Sequence, residues 1–466
     1  MNAVGFVSCD NIRANFSRAM SDMYKTEVPL YGTLMELVSE TNQYVMTHSP
    51  EVAKSLQQTG ELSRLDWERH GAIRVGTAAE LATLRRLFAV MGMEPVGYYD
   101  LSSAGVPVHS TAFRAVHESA LQISPFRVFT SLLRLELIED PTLRAFASDV
   151  LNKRTIFTPR VLELIDKCEA QGGLNAEQGD EFVLNALETF RWHSTATVTL
   201  EEYQKLNAQH RLIADVVAFR GPHINHLTPR TLDIDLVQIG MPKKGIPPKA
   251  VIEGPPRRKC PILLRQTSFK ALEEPITFKG QAAGEFGSHS ARFGEIEQRG
   301  VALTRKGRAL YDELLNAARE ALGEFPNESN AARYVDTLEK TFDAFPDNYD
   351  EMRQQALGYF RYFVSEESVA QWGNKPVPQT LEQCIDAGLI YFEPLVYEDF
   401  LPVSAAGIFQ SNLGDNARSH YKTHSNQQAF HDALGRETIN ELTLYAETQQ
   451  RSLQECAKTL KVASLV

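Results

Sequence analysis

Three short stretches carry residues whose types and spacing can do chemistry. In R-H-G-A-I-R-V-G-T an extended strand puts His70, Ala72 and Arg74 on one face and Gly71, Ile73 and Val75 on the other. At about 3.3 Å per residue, His70 and Arg74 stand roughly 13 Å apart along such a strand. That span suits a small anionic molecule gripped at two ends, by a metal on His70 and by a salt bridge to Arg74. A solvated strand face explains the same pair without any chemistry. In G-P-H-I-N-H-L-T-P-R, His223 and His226 point to opposite faces of an extended segment flanked by Pro222 and Pro229, so one of them at most enters a shared pocket; His226 is favoured. In F-G-E-I-E-Q-R-G, Phe293, Glu295 and Glu297 share one face. A glutamate aimed into a curved sheet is costly unless its charge is paired or bound to a metal. The alternative is an edge strand whose acidic face looks at water.

Other histidines weigh less. His289 falls on the same alternating face as Glu295 and is a candidate to back a ligand. His420 and His424, four apart in S-H-Y-K-T-H-S, fit an exposed helix or loop better than a second metal site. The stretch PKKGIPPKAVIEGPPRRKC reads as a proline-stiffened surface connection rather than an RNA contact. A Walker loop, GxGxxG, GxSxG and HExxH are all missing from the sequence, which removes the commonest nucleotide, serine-hydrolase and zincin readings.

The elements that must position these residues follow from periodicity. From Asp10, a candidate cap, to about Thr47 the pattern is helical, with Ile12, Phe16, Met20 and Met23 on one stripe and Pro29 as punctuation. Strand-like R-L-D-W-E-R-H-G-A-I-R-V follows, then a T-x-x-E capping box at Thr77 and Glu80 opening a helix that Gly92 ends. Three strand-like runs come next, near 96–102, 108–116 and 126–137. The order is βαβββ. After helical text the same order recurs through HINHLTPR, LDIDLVQIGM, AVIEG, ILLRQTSFKAL and SHSARFGEIEQRGVAL. The expected division is an N-terminal helical segment (1–63), a first βαβββ module (64–138), a helical insertion (139–219), a second module (220–304) and a mostly helical C-terminal region (305–466).

Composition sets the outer bounds. The chain has 466 residues, 43% hydrophobic and 23% charged, which matches a globular protein with a sizeable core. A net charge of −11 argues against general affinity for nucleic acid or an anionic membrane. Five cysteines without a CxxC pair indicate neither a disulfide framework nor a zinc ribbon, so a reducing cytoplasm is expected. Neither a signal peptide nor a membrane span is read. The sequence sets no oligomeric state.

Taken together, R-H-G-A-I-R-V-G-T, H-I-N-H-L-T-P-R and F-G-E-I-E-Q-R-G-V-A-L-T resemble the 2-oxoadipate dioxygenase/decarboxylase family, the hydroxyglutarate synthases, over nearly the full chain. The resemblance implies an α+β fold: paired βαβββ modules of the vicinal oxygen chelate type in a cupped, mostly antiparallel sheet, with large helical insertions and a helical C-terminal region. It implies that His70, His226 and Glu295 are iron(II) ligands, with Glu297 the runner-up for the carboxylate, and that the second module completes the metal site. Arg74 resembles the family's substrate-selecting arginine, and Val403 in D-F-L-P-V-S-A-A-G falls where the family contacts substrate. The implied reaction turns 2-oxoadipate and O2 into 2-hydroxyglutarate and CO2, with lysine catabolism as its setting. Two imidazoles and one carboxylate leave coordination positions open, as non-haem iron oxygenases need. The alternatives are a glyoxalase-like isomerase or lyase using another metal, and a small-molecule-binding protein without turnover.

Overall fold

The first βαβββ module forms in the expected order, except that residues 64–67, expected to open its first strand, lie in a 3-10 helix (Leu62–Trp67). In the computed structural model, which describes residues 5–102, 105–282, 284–323, 327–373, 376–401 and 426–465, β1 (Arg69–Val75) leads into the helix Ala78–Val90, then β2 (Glu94–Asp100), β3 (Val108–Arg114) and β4 (Arg127–Leu133). Thr77 and Glu80 make the expected reciprocal cap. Gly92, at φ +65°, turns the chain after the helix. A short helix, Glu118–Ile123, lies between β3 and β4. The strand order is β2-β3-β4-β1, with β1 and β4 parallel and the other pairs antiparallel.

The second module departs from the first. Its leading strand, β5 (His226–Pro229), docks antiparallel on the free edge of β1 and becomes the fifth strand of the first sheet. The remaining strands separate into two antiparallel pairs, β6 (Leu264–Ser268) with β9 (Glu295–Arg299), and β7 (Glu274–Ile276) with β8 (Gly287–His289). AVIEG forms no strand, and only Glu253 bridges to Gln266 of β6. A parallel bridge between Arg230 and Glu297 sets β9 beside the end of β5. The line β1, β5, β9, β6 is therefore nearly continuous. Gly71 permits its first joint: a Cβ there would stand 2.6 Å from Ile224 Cδ1.

Alternation along β1 sorts two environments. Ile73 and Val75 join Val128, Phe113, Leu84, Phe88 and Phe16 in a core shared with the N-terminal helices. The opposite face carries Ala72 and Phe129 and packs against the helical insertion through Leu206, Ile213 and Val217. The first helix, Cys9–Glu27, is capped by Ser8 rather than Asp10; Asp10 sits in the first turn and pairs with Arg13. From that helix, the Tyr24 hydroxyl donates to the carbonyls of both Asn225 and Phe293, tying together the approaches to β5 and β9.

The C-terminal region has its own core around Tyr311, Leu315, Phe342 and Phe360. It is mostly helical, but β10 (Phe360–Val364) and β11 (Ile390–Pro394) make a two-stranded sheet within it. The whole is an α+β fold. Among the described residues, no helix is long and apolar enough to cross a membrane. In the proline-rich connection, Arg257 pairs with Asp233, Lys244 with Glu40, and Arg258 donates to the carbonyls of Phe345 and Pro346.

Candidate metal centre

Three strands far apart in sequence deliver three side chains to one point. His70 from β1, His226 at the start of β5 and Glu295 at the start of β9 bring one ligand atom each within 4.8 Å of one another, all buried. The registers make this possible: His70 lies opposite Thr228 and Ala72 opposite His226 across the β1–β5 pair. Glu295 Oε1 stands 3.3 Å from His70 Nε2 and 3.8 Å from His226 Nε2. The two imidazole rings are perpendicular at 5.5 Å.

Neighbours hold each member of the cluster. Glu295 Oε1 accepts from Thr228 Oγ1 and Gln266 Nε2, both at 2.9 Å. Phe293 packs on the His226 ring at 4.8 Å and Phe400 on the His70 ring at 4.7 Å. Glu297 stands behind His70, with Oε2 3.0 Å from Nδ1. Arg299 grips Glu297 with two nitrogens, at 2.8 and 2.9 Å. Glu297 therefore lies on the opposite ring nitrogen from Glu295, where a carboxylate fixes the tautomer and orientation of a metal-binding histidine. The acidic strand face is buried, with Glu295 at 1% and Glu297 at 0% exposure, so the water-facing alternative does not apply.

The electrostatics follow from this packing. Burial opposes charge on His70, but Glu297 and Glu295 on its two sides raise its pKa above the ordinary value. Burial holds His226 down to about 4, only partly offset by Glu295, so its ring is neutral at pH 7. Burial would raise both carboxyls. Arg299 and His70 overcome it at Glu297, bringing it to about 2, and His226 and His70 lower Glu295. Among the described residues Glu295 Oε2 and His226 Nδ1 have no hydrogen-bond partner. A buried, ionised carboxylate oxygen without a donor is expensive, and a cation beside it relieves that expense. The donor set of two imidazoles and a carboxylate fits a divalent transition metal.

The other sequence candidates fall nearby or outside. Arg74 is buried and donates from Nη1 to Asp215 Oδ2 at 2.8 Å. His223 turns away from the cluster, with Nε2 3.4 Å from Asp215. His289 is not beside Glu295; it contacts Asp215 and Tyr203. Val403, His420 and His424 lie outside the described residues. Sequence reading missed Thr228, Gln266, Arg299 and Asp215. Alternation held a signal for two of them, since Thr228 shares a strand face with His226 and Arg299 with Glu297.

A family model described as 2-oxoadipate dioxygenase/decarboxylase matches residues 16–412. This chain belongs to that family. The 2-oxoadipate dioxygenase/decarboxylase of Pseudomonas putida is 66% identical over 465 residues, covering 100% of both chains. The Escherichia coli protein of the same name is 55% identical, covering 97% of this chain and 98% of its own. Among solved structures, the hydroxyglutarate synthase of Pseudomonas putida in complex with 2-oxoadipate matches with a TM-score of 0.93 at 65% identity, over 99% of this chain and 100% of that one. The motifs that carry the family resemblance are thus the strands whose side chains converge here.

Proposed function

We propose that this member of the family is an iron(II)-dependent dioxygenase/decarboxylase converting 2-oxoadipate and O2 to 2-hydroxyglutarate and CO2. The observation that carries the reading is the buried His70, His226 and Glu295 cluster with an unpartnered carboxylate oxygen. The names and the 2-oxoadipate complex of near-identical-length relatives support the substrate. His70, His226 and Glu295 would hold the metal. Iron(II) bound there supplies the activation of dioxygen.

The chain's own residues do the rest. Thr228 and Gln266 fix the Glu295 carboxylate, and Glu297 fixes the His70 ring, so the ligand geometry is set before a metal arrives. A metal held here would bind His70 in its deprotonated form, against the two carboxylates that favour a proton on the ring. Phe400, Phe129 and Phe293 exclude water from the cluster's surroundings. Arg74, four residues along β1 from His70 on the same face, would pair with the distal carboxylate and so fix chain length and orientation. Val403 is proposed as a further substrate contact. Five free thiols support a cytoplasmic setting, and lysine catabolism is the proposed pathway.

The test is anaerobic loading with iron(II), then 2-oxoadipate and air, while O2, CO2 and 2-hydroxyglutarate are counted. Equal amounts are expected. Product formed without oxygen uptake, or with zinc alone, would assign the site to non-redox chemistry instead.

A further inference from the structure

We infer that Asp215, from the helical insertion, is a positioning residue that orients the Arg74 guanidinium and so sets selectivity for a diacid over a monoacid. The inference rests on the reading of Arg74 as the group that meets the distal carboxylate.

An arginine side chain is long and has many rotamers, so it measures the length of a substrate only if something holds it. Asp215 Oδ2 takes Arg74 Nη1 at 2.8 Å. The other oxygen, Oδ1, is 2.9 Å from His289 Nε2, and His289 Nδ1 is 2.8 Å from the Tyr203 hydroxyl. With one proton on the His289 ring, placed on Nε2 toward the carboxylate, the contacts run in one direction. Tyr203 donates to His289 Nδ1, His289 donates from Nε2 to Asp215, and Arg74 donates to the remaining oxygen. The chain of contacts joins four elements: helix Leu200–Gln209, helix Arg211–Val217, β8 and β1. Trp192 lies parallel to the His289 ring, and its edge meets His223, whose Nε2 is 3.4 Å from Asp215 Oδ1.

The arrangement differs from two other buried ion pairs. Arg114 and Arg299 each clasp a carboxylate with two nitrogens. Asp215 instead shares its carboxylate between His289 and Arg74 Nη1, so it ties the guanidinium to the helical insertion and to β8. Arg74 follows His70 by four residues on the same face of β1, which puts the oriented group on the face of the strand that carries the metal cluster. In sequence, Asp215 interrupts the apolar run L-I-A-D-V-V-A-F. An acid buried among such residues requires a partner, and here the partner is the arginine on the site face of β1.

The test compares turnover of 2-oxoadipate with that of 2-oxohexanoate, which lacks the distal carboxylate, in iron-loaded wild type, Arg74→Ala, Asp215→Asn and the double variant. Asp215→Asn is expected to lower kcat/KM for 2-oxoadipate by about ten- to a hundredfold, mostly through KM, and to bring the diacid-to-monoacid ratio toward that of Arg74→Ala. Iron affinity should stay at the wild-type value, and the double variant should be no less selective than Arg74→Ala alone. If Arg74→Ala loses selectivity while Asp215→Asn keeps it, the positioning role is overturned and the reading of Arg74 stands. If Arg74→Ala itself keeps wild-type selectivity, the reading of Arg74 fails first. Should Asp215→Asn not fold, Tyr203→Phe removes one hydroxyl at the far end of the chain of contacts and is expected to raise KM in the same direction. Unchanged KM in folded Tyr203→Phe, or a parallel loss of iron affinity in Asp215→Asn, would also overturn the role.

Discussion

On its two sides, the His70 ring meets opposite electrostatic environments. In front, toward His226, the carboxylate of Glu295 keeps one oxygen without a donor among the described residues. Behind, Glu297 begins a lattice of buried charge in which the carboxylates are saturated. Arg299 serves both oxygens of Glu297, Arg127 and Arg230 serve the two oxygens of Glu68, and Arg64 and Arg127 serve Glu398. Both regions are equally dry. The difference teaches that burial alone does not mark a site. A carboxylate matched by fixed cations is architecture, while one left short of positive charge is prepared for a cation that comes and goes.

The comparison can be broken most severely at the front. Glu295→Gln, His70→Ala and His226→Ala are each expected to abolish iron retention after desalting and turnover with it, as read by metal analysis and oxygen uptake. Retained stoichiometric iron in any of the three would remove that residue from the cluster. At the back, Arg127→Met strips a cation from Glu68 and Glu398 at once and should destabilise the fold by about 3–5 kcal/mol, measured by urea unfolding. A loss below about 1 kcal/mol would mean that the lattice is not the support described.

Glu297→Gln probes the boundary between the two regions. It should weaken metal affinity by about 10- to 100-fold without abolishing it, because the three ligands remain while the group behind His70 loses its charge. Complete loss of metal, matching Glu295→Gln, would make Glu297 a ligand instead. Solution pH supplies the gentlest perturbation. His226 and His210 are held down to about 4 and His223 to about 3, in each case first by burial. Their unfolded forms take protons near the ordinary value of 6.5, so the unfolded chain binds more protons below that pH. Stability of the metal-free protein is therefore expected to fall as pH drops from about 6.5 toward 4, because these three depressed histidines outweigh His70, whose raised value acts in the opposite direction. A melting temperature that rises on acidification through this window would reverse the assigned protonation states.

Much of the site was legible because β-strands alternate with a fixed period. His70 with Arg74, and Glu295 with Glu297, can be placed on shared faces from sequence alone, and both glutamates do reach the His70 ring. The first module's order was legible for the same reason, helped by the Thr77 and Glu80 cap. The second module was less so. Its short strands leave the expected sheet because β5 finds a partner in β1, a pairing between residues more than 150 positions apart that no local propensity encodes.

Asp215 shows the limit from the other side. Its burial among apolar neighbours demanded a partner, but Arg74 lies on a different element and is reached only through the packing of the helical insertion on the sheet.

The sequence by itself determined which side chains share a face, the order of the first module's elements, and to which family the chain belongs. Tertiary structure alone decided which glutamate faces His226 and which stands behind His70, because both lie on the same strand face and differ only in what the neighbouring strands bring to them. A period-two pattern fixes direction within a strand; the charge that a buried carboxylate meets is fixed by register and packing across strands.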